Sequence, residues 1–267
     1  MSSPRQLIAS VDMGSSSFRM IVARVEELNG QSQIYVVDSL REPVRLGAGL
    51  DSNKRLDEPS QARALAALQR FGERLRSFEP HQVRAVATNA VRVARNAAEF
   101  IAKAEAALGF PIDVISGVEE ARLVYCGVAH QLPIGQGKRL VVDIGGGSTE
   151  FIIGEDYEPE AMESLYIGCV STAQAYFADG SISGRAMKNA IMAARKEVAV
   201  LRRQILEMGW THAIGSSGTA RALAEICVAN GFTEHGMSAE ALAKIREHVV
   251  LAGHLDAITL EGLKVDR

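Results

Sequence analysis

The sequence predicts an α/β chain of two similar lobes with a cleft where they meet. Two segments carry that expectation, VDMGSSSFRM at 11–20 and VVDIGGGSTEFIIG at 141–154. Each reads as a strand ending in an aspartate, a tight turn of small residues and a second strand. Composition agrees: 47% of residues are hydrophobic but only 5% aromatic, and 24 are Gly, which favours aliphatic packing and close backbone approaches.

At 267 residues the chain is long enough for one large domain or two ordinary ones. A formal charge of −3 gives no whole-surface attraction to polyanions, so a polyanionic ligand needs a local basic patch or a metal ion, and no nucleic-acid partner is expected. Cys126, Cys169 and Cys227 are widely spaced and odd in number, which fits a reducing compartment better than a disulfide framework or a zinc site. No run of 18 or more apolar residues occurs, and a cytoplasmic protein without a membrane partner is expected.

In the first lobe, strands are expected over Leu7 to Asp12, Phe18 to Val25 and Ile34 to Val44, the last two joined by a turn at Asn29-Gly30. A helix follows over Pro59 to Phe78, with Ala62, Leu65, Leu68, Phe71 and Leu75 on its apolar side. Val83 to Ala87 is a strand, Ala97 to Leu108 a helix closed by Gly109, Ile112 to Ile115 a strand and Glu119 to His130 a helix. The second lobe repeats the opening with strands at Arg139 to Asp143, Thr149 to Gly154 and Ala161 to Gly168, and Asp156 to Pro159 in a turn. Helices are expected over Gly184 to Met208, Ala220 to Ala229 and Ala239 to Leu251, with Trp210 to Ile214 leading into Gly215-Ser216-Ser217-Gly218. Gly135-Gln136-Gly137 marks the lobe boundary, giving lobes 1–134 and 135–267. No helix or strand completes the second lobe at Val265-Asp266-Arg267, so the sequence reads as part of a longer chain.

Three turns suit phosphate. Gly145-Gly146-Gly147 lets the backbone approach a ligand, and Ser148 and Thr149 add hydroxyls. The residues after these glycines continue as a strand, unlike a Walker loop; the plain alternative is an ordinary β-turn. Gly14 to Ser17 is its counterpart in the first lobe. Asp12 and Asp143 are expected to face each other and hold a hydrated Mg²⁺, or else to cap their turns. Gly215 to Thr219 precedes a helix, where its amides bind phosphate or Ser217 and Thr219 act as N-caps.

VDMGSSSF at 11–18, TNAVRVARN at 88–96, ISGVEEARL at 115–123, DIGGGSTE at 143–150, IGCVS at 167–171 and GSSGT at 215–219 together resemble the exopolyphosphatase/guanosine pentaphosphate phosphohydrolase family. That family is a branch of the actin-like superfamily of sugar kinases, actins and chaperone ATPases. The resemblance implies two ribonuclease H-like lobes with an interlobe active site. It also implies release of terminal phosphate from inorganic polyphosphate, and in some members from guanosine pentaphosphate, in the bacterial cytoplasm with Mg²⁺ or, in its place, Mn²⁺. Glu120 then resembles the catalytic base. Asp143 and Glu150, with Asp12 as a further candidate ligand, resemble the organisers of metal and water. Arg92 resembles the phosphate-holding arginine, and Ser15, Ser16, Ser17, Gly145, Gly146, Gly147, Ser148, Ser217 and Gly218 its substrate-binding companions. Ser16 stands where the family commonly has asparagine, which shortens its reach and removes an amide. Longer members carry a helical C-terminal region tied to long-chain binding and dimerisation, so a homodimer is expected of a full-length form.

Read without the resemblance, Glu119 and Glu120 are acidic residues in a helix's first turn, where their mutual repulsion raises the pKa of either if both share a pocket. Arg92 is equally a solvent-facing cation at a helix start. Two other functions use similar turns: an actin-like sugar or acetate kinase, which needs an acceptor pocket, and a nucleotide-responsive assembly module.

Overall fold

The computed structural model describes residues 6–28 and 31–263. The expected Asn29-Gly30 turn and the end at 265–267 lie outside these residues. The chain divides into two compact units, Met1–Ser116 and Gly117–Arg267.

The first unit opens with β1 (Gln6–Met13), β2 (Phe18–Leu28) and β3 (Gln31–Glu42), consecutive antiparallel neighbours. Then come α1 (Glu58–Leu75), β4 (Val83–Ala87), α2 (Asn89–Arg92), α3 (Ala97–Leu108) and β5 (Ile112–Val114). β4 and β5 join parallel to β1, giving the order β3-β2-β1-β4-β5. Alternation along β1 turns Ala9, Val11 and Met13 to the core and Ser10 and Asp12 away. The core adds Phe18 and Met20 from β2, Leu68 and Phe71 from α1, and Phe100 and Leu108 from α3.

α1 starts where the Asp57 carboxylate accepts the Ser60 N–H at 2.8 Å, with Pro in the first turn. Its buried face is Ser60, Ala64, Ala67, Leu68, Phe71 and Leu75, while Ala62, expected inside, is exposed. The helix ends at Leu75 rather than Phe78, because the chain turns there, Phe78 N–H donating to Leu75 O at 2.9 Å.

The second unit begins with α4 (Gly117–Ala129). β6 (Arg139–Ile144), β7 (Thr149–Glu155) and β8 (Glu158–Leu165) repeat the antiparallel opening. α5 (Cys169–Tyr176), α6 (Gly184–Met208), β9 (His212–Gly215), α7 (Gly218–Ala229) and α8 (Ala239–Ala252) follow, and β9 lies parallel to β6 in the order β8-β7-β6-β9. The division at Ser116/Gly117 differs from the expected boundary at 134/135. Its cause is α4, whose Ala121, Tyr125 and Ala129 are buried with Val141 and Ile152 of β6 and β7. Two contacts pin the connection after α4 as well: buried Arg139 donates to Pro133 O, and the Asp156 carboxylate accepts Gly135 N–H at 2.6 Å.

β8 begins three residues earlier than Ala161, so the turn narrows and Pro159 sits in the strand. β8 is the edge of its sheet, where a missing N–H is tolerated. The eight-residue helix α5 follows β8 at IGCVS, where no helix is expected from sequence.

In TNAVRVARN the last residue is structural. Asn96, 7% exposed, accepts Leu56 N–H at 2.9 Å and donates to Leu56 O at 3.0 Å. Asn96→Ala leaves the Leu56 N–H unpaired, while Leu56 O keeps the Gln61 side-chain amide at 2.8 Å, and is expected to cost about 1–3 kcal/mol. Chemical denaturation checks this, and a loss under about 0.5 kcal/mol would contradict it.

Candidate active site

The two glycine-containing turns are built alike. Register pairs Asp12 with Arg19 and Met13 with Phe18 in the first unit; Asp143 with Glu150 and Ile144 with Thr149 in the second. A Cβ on Gly14 would stand 3.1 Å from Ser17 O, and one on Gly145 would stand 3.0 Å from Ser148 O, so a side chain at either place would need the turn to give by a few tenths of an ångström. In both, the segment after the third strand ties back the turn's carbonyls. Gly47 N–H and Arg45 N–H donate to Ser15 O and Ser16 O, each at 2.8 Å. Cys169 N–H donates to Gly145 O at 2.9 Å, and Val170 and Ser171 N–H donate to Gly146 O at 2.9 and 3.0 Å. An anion at either turn therefore does not meet these carbonyl dipoles head-on.

Three carboxylates of the second unit bear on one another: Asp143 and Glu150 face each other across β6 and β7, and both feel the charge of Glu120. Glu150 is 1% exposed and its Oε1 accepts the Ser164 hydroxyl at 2.8 Å, with Ser148 as a second hydroxyl partner. Burial first, then the charges of Glu120 and Asp143, push its pKa up to about 7 against these hydrogen bonds. Asp143 is pushed up to about 6, again by burial and then Glu120, with the Ser216 hydroxyl bond opposing. Glu119 is not part of this group. Arg122 grips it with two bonds, at 2.7 and 2.8 Å, and holds its pKa below the usual value, so the expected Glu119–Glu120 repulsion is replaced by repulsion among Glu120, Asp143 and Glu150.

Among the described residues no cation contributes to the shifts of Asp143 or Glu150. Among the described residues no cluster of three or more His, Cys, Asp or Glu forms a cage for a metal ion. Paired carboxylates on adjacent strands do fit Mg²⁺, which binds through one or two carboxylates with water and substrate phosphates completing its shell.

The remaining expected site residues divide between the units. Ser15 is buried and its hydroxyl accepts Ala90 N–H at 3.2 Å, tying the first turn to α2, which carries Arg92. Ser16 is partly exposed and joins the tie-back through its carbonyl; Ser17 Oγ accepts from Arg41 at 3.3 Å. Arg92 Nη1 donates to Ile115 O at 2.9 Å, and Asp12 is exposed on β1. Glu120, Asp143, Gly145 to Ser148, Glu150, Ser217 and Gly218 belong to the second unit. The capping alternative for Ser217 is realised: its Oγ accepts Ala220 N–H at 3.1 Å, with φ at 110°, a conformation rare outside glycine.

Sequence reasoning missed Ser164, Ser216 and the tie-back by Gly168 to Ser171. Ser164 is directly opposite Glu150 in the β7–β8 register, but the register shifts between Ile153 and Gly154, so counting back from the turn points to Glu163 instead. GSSGT was noted for phosphate, whereas its Ser216 reaches Asp143.

The duplicated sheet with its two strand-turn-strand openings defines an actin-like α/β chain. More narrowly, it belongs to the Ppx/GppA phosphatase family, whose model matches residues 21–267. A guanosine-5'-triphosphate,3'-diphosphate pyrophosphatase of Vibrio cholerae is 43% identical over 261 residues, covering 98% of this chain and 51% of the relative. The chain thus spans about half the length of the curated relatives it matches. An exopolyphosphatase from Cytophaga hutchinsonii is similar at a TM-score of 0.82 and 25% identity, covering 97% of this chain and 84% of that one. The Aquifex aeolicus PPX-GPPA enzyme is similar at 0.65 and 29%, covering 84% and 71%. Among the described residues no helix is long and apolar enough to cross a membrane.

The raised carboxyl pKa has a consequence for stability. The folded chain binds the Glu150 proton more tightly than the unfolded one, so stability falls as pH rises from 4.5 to about 7 and the deficit is full above that. Glu150→Gln removes the charge and keeps an oxygen for Ser164. Without divalent metal it is expected to be more stable than the parent by about 2 kcal/mol at about pH 8, and no more stable at about pH 4. Urea denaturation at the two pH values tests this, and a parent chain as stable as the variant at the higher pH would refute it.

Proposed function

We propose that this chain carries the catalytic core of a Mg²⁺-dependent phosphoanhydride hydrolase that releases the terminal phosphate of guanosine pentaphosphate and of inorganic polyphosphate. The observation that carries the reading is the Asp143–Glu150 pair flanking the Gly145 to Ser148 turn, with the charge of Glu120 acting on both carboxylates. That the 43%-identical relatives are guanosine-5'-triphosphate,3'-diphosphate pyrophosphatases favours guanosine pentaphosphate as the better substrate. Polyphosphate is supported by the exopolyphosphatase of similar structure.

In this reading Glu120 accepts the proton of the attacking water while the terminal P–O bond breaks, and the leaving chain departs as a phosphate anion. The backbone of Gly145 to Ser148 receives phosphate oxygens. Asp143 and Glu150 would hold the metal, which when bound neutralises charge on the phosphoryl oxygens. Ser216 and Ser164 hold their carboxylates in place by one hydroxyl bond each.

Glu120→Gln removes the base and nearly keeps its shape, so substrate binding is expected to survive while kcat falls about 10²–10⁴-fold. Phosphate release from guanosine pentaphosphate and from long and short polyphosphate, without any acceptor, measures both the reaction and the preference; unchanged turnover in the variant would remove Glu120 from the role, and dependence on an acceptor would favour a kinase. Asp143→Asn is expected to raise the Mg²⁺ concentration for half-activation about tenfold or more. Because Asp143 and Glu150 must be ionised to hold the metal, the acid limb of the parent's rate should lie at or below pH 6 to 7 and move lower as Mg²⁺ rises. An acid limb indifferent to Mg²⁺ would count against metal binding by these carboxylates.

A further inference from the structure

We propose that the Gly168 to Ser171 segment is the positioning element of the Gly145 to Ser148 turn, and that Gly168 is required there for space. The proposal rests on the hydrolase reading for its effect on substrate, and on geometry alone for its effect on the turn.

The first N–H groups of a helix have no partner within it. In α5 three of them are committed to the turn: Cys169 to Gly145 O at 2.9 Å, Val170 to Gly146 O at 2.9 Å and Ser171 to Gly146 O at 3.0 Å. The ordinary helical pattern resumes only with Thr172 N–H to Gly168 O at 3.0 Å. Ser171 Oγ also accepts Gly168 N–H at 3.2 Å, which holds the start of the helix in place. Two adjacent carbonyls of the turn are thereby fixed by three donors on one rigid element, so the peptide planes between them cannot rotate to present oxygen to an anion.

Gly168 sets how closely the two segments approach. Its φ of −151° is extended backbone that any residue adopts, so conformation does not demand glycine. Space does: a Cβ there would lie 2.4 Å from both C and O of Gly146 and 2.5 Å from Gly147 N, all backbone atoms with no flexible end to yield. The first unit uses the same device more loosely. Gly47 donates to Ser15 O at 2.8 Å, and its Cβ would meet Ser15 Cβ at 3.1 Å. Two independent occurrences after the third strand of each sheet mark it as a feature of the turn, not an accident of α5. Gly168 touches the loop and not the reacting atoms, so it is a positioning residue.

Two variants in the full-length protein separate this from a general structural role. Cys169→Pro deletes one amide donor at the first helical position, where proline is favoured, after a Gly168 that is already extended. Its effect is read against Cys169→Ala, which keeps the amide and removes the thiol. Gly168→Ala forces the turn away. Gly154→Ala is the matched control, since its Cβ would meet Glu158 O and Tyr125 at 2.5 Å, a clash as severe but against the β7–β8 turn and α4. Gly168→Ala, and Cys169→Pro relative to Cys169→Ala, are expected to raise KM for guanosine pentaphosphate or polyphosphate about tenfold. Both should also speed hydrogen exchange at 145–148, while Gly154→Ala lowers Tm with KM at the parent value. Parent-like KM and parent-like exchange in Cys169→Pro would overturn the proposal, even if Gly168→Ala fails to fold. Absence of hydrolysis by the parent protein would instead defeat the hydrolase reading, and exchange in Cys169→Pro would still decide the positioning role.

Discussion

The register of the β6–β7 hairpin places Asp143 directly opposite Glu150, and the rest of the site depends on that pairing. Like charges opposite one another across antiparallel strands are destabilising, and burial makes them more so. The hairpin bears this because its neighbouring positions are apolar and closely packed, with Val141 opposite Ile152, both buried. The corresponding position of the first sheet pairs Asp12 with Arg19, opposite charges on exposed residues. The two openings therefore share a backbone and differ at one register position in the sign of a charge. That difference leaves the second opening with two like charges to be offset and the first with a charge pair that offsets itself.

Each strained or costly feature near this pair has a local compensation. Ser164 and Ser148 donate to Glu150, and Ser216 donates to Asp143. Ser216 is placed by its own N–H, which extends the β6–β9 ladder to Val142 O at 2.9 Å, while Ser217 beside it takes φ of 110° and caps α7. Non-glycine residues hold such conformations only where the surroundings over-determine them. Here three demands meet in two residues: the ladder, the carboxylate and the helix start.

Element order was readable in the sequence because its signals are local. The α6 limits follow from Ser183 as N-cap and Gly209 after the last turn, and the strand pairs follow from apolar runs broken by glycine. The Asp143, Gly145 and Glu150 pattern was readable for the same reason. Unit membership was not. The apolar residues Ala121, Tyr125 and Ala129 of α4 announce that the helix is buried, but nothing in their spacing says against which sheet. Chain order placed α4 with the strands before it, and its packing places it with the strands after it. Glu120 thereby joins Asp143 and Glu150 within one unit, which its position in the sequence does not suggest.

The serines and the tie-back were hidden for a different reason. Ser164, Ser216 and Ser171 are common surface residues whose roles arise only from register and helix phase, and Gly168 reads as a loop glycine until its approach to Gly146 is measured. Comparing the two units position by position supplies what single motifs lack. A segment that follows the third strand and donates to turn carbonyls occurs twice, once as a single turn at Leu46–Gly49 and once as α5. Their sequences share a glycine but little else, so the duplicated property is the placement of N–H donors, which many residue types can supply. Backbone donors leave no trace in side-chain identity. Where the backbone does the holding, side-chain type does not reveal the residues that hold a turn, and the glycine that permits the close approach, Gly168 or Gly47, is the sign of the place.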